Sequence, residues 1–178
     1  MKRIVIVCGL IAGAIVATMM VTTVALCYKN ADFEGNMFLG YATMVLAFSL
    51  IFVGVKNYRD KINNGIISFG KAFKIGLYIS MIASTIYVLA WLIDYYLFVP
   101  DFMDKYAAFV LKEAKADGLS ASEITEKTNE MESYKEMYKS PLLVVLLTYA
   151  EIFPVGVIVS LISALILKRK KQKQVAMA

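Results

Sequence analysis

Four apolar runs, at residues 4–28, 37–55, 75–99 and 142–167, limit what this 178-residue chain can fold into more than any other feature. A helix needs about 20 predominantly apolar residues to cross the hydrocarbon of a bilayer, and each run meets or nearly meets that length. Lipid offers backbone groups no hydrogen-bond partner, so a spanning segment is a helix or a strand of a closed barrel. The roughly ten-residue alternation of barrel strands is absent. Composition agrees, with 60% hydrophobic and only 19% charged residues and a mean hydropathy of +0.65. The predicted class is therefore all-α: a polytopic membrane protein whose four transmembrane helices form one bundle and one membrane domain over residues 1–178.

The charges sort by connection. Lys2, Arg3, Lys56, Arg59, Lys61, Lys71, Lys74, Lys168, Arg169, Lys170, Lys171 and Lys173 flank the chain's ends and the second connection, opposed there only by Asp60. The first and third connections are acidic on balance. Lys/Arg excess marks the cytoplasmic side, so both termini and the second connection are expected inside and the other two connections outside. Lys71, Lys74, Lys168, Arg169 and Lys170 are read as anchors to anionic headgroups, and the net charge of +5 as a topology signal with no nucleic-acid partner. Lys2 and Arg3 before an apolar core imitate a signal peptide, but that core is too long, and the first span is expected to stay uncleaved.

Within this frame one carboxylate stands out. Glu151 has ten residues before it counted from Pro141 and sixteen after it up to Leu167, which puts it about 5 Å from the middle of a spanning helix at ~1.5 Å per residue. An ionisable group at that depth costs roughly 2.5 to 3.5 kcal/mol on insertion scales, so it faces a partner, a cavity or water. Pro154 has no N–H for the carbonyl of Ala150, leaving a bare oxygen in the same turn. Asp94, about a turn nearer the outer surface on the third run, is a candidate to share a polar pocket with Glu151. The expected hydrogen-bond partners of Glu151 are Tyr149, Ser80 or Ser84. Tyr87, Trp91, Tyr95, Tyr96 and Phe98 read as an aromatic belt at the outer interface.

Small residues recur at helical spacing. Gly9, Gly13 and Ala17, then Gly40, Ala47 and Gly54, then Gly76, Ser80 and Ser84, then Gly156, Ser160 and Ala164 present faces on which membrane helices approach closely, within one chain or between copies in a homo-oligomer. Residues 66–74 read as an amphipathic lead-in at headgroup level, started by the turn Asn64-Gly65 and capped by Ser68. Pro100 ends the third span. Residues 101–139 then read as an extracytoplasmic helical hairpin, with Gly118 closing its first helix and a Ser120/Glu123 capping box opening its second. It is either a cap packed on the bundle or a docking surface for a protein partner. Residues 168–178 form a basic cytoplasmic tail.

Several chemistries are excluded by residue type. There is no histidine, which removes the usual His-based catalysis and common zinc and haem ligand sets. No phosphate loop or nucleophile elbow is present, and no cofactor is expected. Cys8 and Cys27, nineteen residues apart on one helix, are about 28 Å apart and cannot bridge each other; Cys8 is read as packing, and Cys27 as a thiol with an intermolecular disulfide as its alternative.

Tyr58-Arg59-Asp60, Gly65-Ile66-Ile67-Ser68-Phe69-Gly70-Lys71-Ala72-Phe73, the acidic hairpin, and Glu151-Ile152-Phe153-Pro154-Val155-Gly156 running into Ile162-Ser163-Ala164-Leu165-Ile166, together with Gly9 and Gly13, make nearly the whole chain resemble a bacterial family of four-span membrane proteins catalogued as a domain of unknown function, DUF4199. The resemblance implies four spans in a bacterial inner membrane, and carries over no catalytic or binding residue. The expected function is a non-enzymatic structural or accessory membrane component. The alternative is a small proton- or cation-coupled carrier built on Glu151, the Ala150 carbonyl and Asp94.

Overall fold

The computed structural model describes residues 1–30 and 37–169. Residues 31–36 of the first outside connection, and Lys170 with the tail after it, lie outside the described residues. The described residues form six helices in order: α1 (Lys2–Asn30), α2 (Met37–Lys61), α3 (Phe69–Leu97), α4 (Phe102–Ala116), α5 (Ala121–Tyr138) and α6 (Pro141–Leu167). Of these, α1, α2, α3 and α6 are long and apolar enough to cross a membrane.

The helices overrun the apolar runs for local reasons. α2 continues through Lys56 and Arg59 to Lys61 because nothing in that stretch breaks a helix before Asn64 and Gly65, both at positive φ (51° and 76°), turn the chain. The expected lead-in is continuous with the third span. Ser68 caps α3 by accepting the Lys71 N–H, and Phe69 to Lys74 form the first turns of the same uninterrupted helix, with the Phe69 and Phe73 rings stacked at 6.1 Å. Pro141 opens α6, and the helix runs through Pro154 without a break. Pro154 therefore does not start the span.

α3 is the hub, packing along both α1 and α6, while α2 lies against α1 and α6. The α3–α6 seam is antiparallel and reciprocal. A Cβ on Gly76 would fall 2.7 Å from Ser160 Oγ, and one on Gly156 would run into Ser80 Oγ. One turn further toward the ends of the seam, Ala72 and Ala164 are both fully buried in the same cluster. On the opposite side of α3, Gly9 meets Ile82 and Gly13 meets Ile86, a parallel register that seats α1. These small-residue faces are occupied inside the monomer. Gly40 is the exception: among the described residues nothing lies within 4 Å of where its Cβ would be.

One end of the bundle gathers the basic residues. Ile67 and Arg169 exchange backbone hydrogen bonds (3.1 and 2.8 Å), tying the second connection to the end of α6. Arg59 is held by Asp60 at 2.6 Å and donates to the Leu167 carbonyl at 3.4 Å. Lys71 and Lys74 are exposed and lie over the rings of Tyr58 and Tyr78. Lys168 and Arg169 are exposed at the same end.

The other end carries α4 and α5. Ser120 and Glu123 form the expected capping box, and Gly118 adopts positive φ after α4. Lys135 pairs with Asp104 across the two helices at 2.7 Å. The hairpin is packed on the bundle: Met103 joins Trp91, Tyr95 and Val144 in a second core cluster, with Phe102 and Tyr138 against it. Tyr28 donates to Asp101 at 2.9 Å, and Lys105 reaches the other Asp101 oxygen at 2.8 Å while covering the Tyr28 ring. Lys105 first, then Tyr28, hold the Asp101 carboxyl below its ordinary range. A depressed carboxyl favours the folded clasp above the ordinary carboxylate pKa, and that contribution is lost as pH falls through the lowered value.

The seam makes a direct prediction. Gly156→Ala places a methyl against Ser80 and lowers stability by about 1 to 3 kcal/mol, the usual range for overpacking a filled interface. Gly70→Ala, where a Cβ meets open space at the start of α3, leaves stability unchanged or raises it by up to about 1 kcal/mol through helix propensity. Thermal unfolding of the two variants in the same micelle compares them.

Candidate functional site

Above Ser84 the small residues of α3 give way to Tyr87 and Trp91, and a cavity of about 610 Å³ opens there between the bundle and the hairpin. Its lower wall is Tyr87, Trp91, Thr148 and Glu151; its roof is Phe102, Tyr106, Tyr134 and Tyr138 from α4 and α5. A second cavity of about 170 Å³ runs between α1 and α2, lined by Val16, Met19, Thr43 and Met44. The two share Met20, Val24, Tyr87 and Glu151. Glu151 thus sits where they meet, accessible but on concave walls.

The observed partner of Glu151 is Tyr87, whose hydroxyl donates to Oε1 at 3.3 Å. None of the three expected partners holds it. Tyr149 is instead hydrogen-bonded to Thr85 at 2.7 Å. Ser80 lies against Gly156 in the seam, and the Ser80 and Ser84 hydroxyls make no hydrogen bond among the described residues. The reason is register: antiparallel pairing of Ser80 with Gly156 sets Tyr87, not a serine, at the level of Glu151.

The expected carboxylate pair is not assembled. Asp94 is 7% exposed, its Oδ2 lacks a hydrogen bond among the described residues, and it lines neither cavity. Pro154 also lines neither; it is exposed on the outer surface of α6. The aromatic belt is corrected as well. Tyr87, Trp91 and Tyr95 are buried, leaving only Tyr96 and Phe98 exposed. The first two of those buried rings line the larger cavity, and the i, i+4 spacing of Tyr87, Trp91 and Tyr95, which sets them on one helical face, was the signal for an inward stripe.

Electrostatically the larger cavity holds little charge. Lys127 and Glu130, on α5, neutralise each other at 2.8 Å. Burial first, and the nearby Glu151 carboxylate second, push the Tyr138 phenol up to about 12, so it stays a protonated donor at neutral pH. Three or more His, Cys, Asp or Glu side chains are nowhere clustered as for a metal among the described residues. Cys8 is buried and Cys27 half-buried, and no disulfide joins the two.

Residues 8–169 match the family model described as Protein of unknown function (DUF4199). The chain belongs to the DUF4199 family. No curated protein and no solved structure matches it. For this DUF4199 protein the fold has no use for Glu151 beyond one long hydrogen bond, and that has a measurable consequence. Glu151→Leu should leave stability unchanged or raise it by about 1 kcal/mol, because an apolar side chain replaces a poorly paired carboxylate. A loss above about 2 kcal/mol in micelle unfolding would mean that the carboxylate holds the bundle together.

Proposed function

We propose that this protein is a non-enzymatic accessory component of a bacterial inner membrane, with both termini cytoplasmic and the α4–α5 hairpin outside. The orientation is supported by the basic residues gathered at the end opposite the hairpin, where anionic headgroups contact Lys71, Lys74, Lys168 and Arg169. The observation that carries the functional reading is the hairpin itself. Its inner face is buried on the bundle through Met103 and Tyr138, while Glu113, Asp117, Glu126 and Glu132 are exposed, an acidic surface facing a protein partner. Self-association through Gly9, Gly13, Gly76 or Gly156 is not part of the reading, since each is covered within one chain.

The carrier reading is favoured by one observation, the cavity that reaches Glu151. Against it, α6 is unbroken at Pro154, and below Glu151 the bundle is filled by Phe48, Ile51, Ile79 and Ile152, all fully buried. Extraction in mild detergent tests both. The protein is expected to retain a defined partner that is lost when residues 101–139 are replaced by a Gly/Ser linker, and to move no protons or cations in liposomes under an imposed gradient. Wild-type flux abolished by Glu151→Gln, with no reproducible partner, would make it a carrier.

A further inference from the structure

The cavity under the hairpin has a chemistry of its own. Six aromatic side chains line it: Tyr87, Trp91, Phe102, Tyr106, Tyr134 and Tyr138. Such rings present electron-rich faces, which attract a cation within about 6 Å, most strongly when it is desolvated. With Lys127 and Glu130 paired to each other, Glu151 is the one wall carboxylate without a cationic partner among the described residues, and its hydrogen bond from Tyr87 is long at 3.3 Å. At about 610 Å³ the space falls within the ~300–1,000 Å³ of small-molecule sites.

These walls select among ligands. An anion would meet Glu151 with no unpaired Lys or Arg on the cavity wall to receive it. A small inorganic cation needs several oxygen ligands, and no metal-binding cluster is present among the described residues. A purely apolar molecule would bury Glu151 without a partner, which is unfavourable. What satisfies both the rings and the carboxylate is a monovalent organic cation with an apolar body. The smaller cavity, whose Val16, Met19 and Met44 meet the larger one at Glu151, extends the site for an alkyl portion of such a molecule.

We infer that the cavity binds an organic ammonium ion, its cationic nitrogen beside Glu151 and its apolar body among the rings of α3, α4 and α5. The inference shares its location with the hairpin reading above. Binding at equilibrium is read without any partner protein, so either can fail alone.

Trp91 is the only tryptophan in the chain and lies in the cavity wall, so its fluorescence reports occupancy. The probe is benzyltrimethylammonium, titrated into the full chain in phosphatidylglycerol nanodiscs, with equilibrium dialysis of the labelled probe as a second readout. The comparison ligand is neopentylbenzene, the same shape with carbon in place of the charged nitrogen. Saturable binding below 1 mM is expected for the cation. Glu151→Gln should weaken it at least tenfold and Tyr138→Leu at least threefold, while the affinity for neopentylbenzene is not lowered by Glu151→Gln, which removes the charge that an apolar ligand would bury. Equal affinity of the wild type for the two ligands overturns the inference without recourse to any variant, as does a folded Glu151→Gln protein that binds the cation as tightly as wild type. Loss of binding when phosphatidylethanolamine is added to the nanodisc would overturn a soluble ligand in favour of the lipid amine.

Discussion

The close approach of α3 and α6 is the contact on which the rest of the structure depends. Between helices in lipid there is no hydrophobic driving force, because acyl chains are as apolar as leucine, and association rests on packing and on the few polar contacts available. Gly76 against Ser160 and Gly156 against Ser80 let the two backbones come together over one full turn, and Ala72 and Ala164 continue the contact toward the basic end. α1 is then seated on the far side of α3 by Gly9 and Gly13, and α2 closes the bundle with Phe48 and Ile51 reaching the seam. Substituting any of these glycines shifts two helices at once.

The same seam decides where the candidate site lies. Its small residues end at Ser84, and the next buried side chains of α3 are Tyr87, Val88 and Trp91, of which the two rings line the cavity. Large rings hold the helices apart where glycine and serine held them close, so space appears at that level and not below it. Glu151 occupies that level on α6 because the antiparallel register that matches Ser80 to Gly156 brings it to Tyr87. The hairpin then covers the opening, docked through Met103 and clasped to α1 by Tyr28, Asp101 and Lys105. Burial at the bottom and aromatic walls above it follow the change of residue size along α3.

Much of this was legible in the residues. Long apolar runs allow only helices in a bilayer, and the Ser120/Glu123 box and Gly118 carry their local geometry with them, so four spans and a two-helix hairpin were readable. The importance of Glu151 was readable too, since a midplane carboxylate is unfavourable whatever surrounds it. Its neighbours were not. Which residue of α3 faces Glu151 depends on the register between helices 64 residues apart in sequence, and a shift of one turn exchanges Ser84 for Tyr87. Asp94 was expected at a shared pocket because it follows Tyr87 and Trp91 on the same face of α3, but it lies two turns beyond Tyr87 and lines neither cavity. Trp91 and Tyr95 resembled an interfacial belt because an aromatic near a span's end satisfies either role; only the hairpin folding back over them makes them interior. Pro154 is compatible with a helix start or with a helix that continues through it, and α6 continues from Pro141 to Leu167.

The claim that joins fold to function is that Glu151 is reached from the hairpin end and sealed from the basic end. Thiol labelling reads this most directly. In a background with Cys8 and Cys27 replaced by alanine, Glu151→Cys is treated with a membrane-impermeant thiol reagent in spheroplasts and in inside-out vesicles, beside the buried control Ile51→Cys. Reaction of the cysteine at 151 in spheroplasts, with neither variant reacting in inside-out vesicles, is the expected result. A cysteine at 151 that reacts only in inside-out vesicles, or that is unreactive in spheroplasts while the protein remains folded, would contradict it.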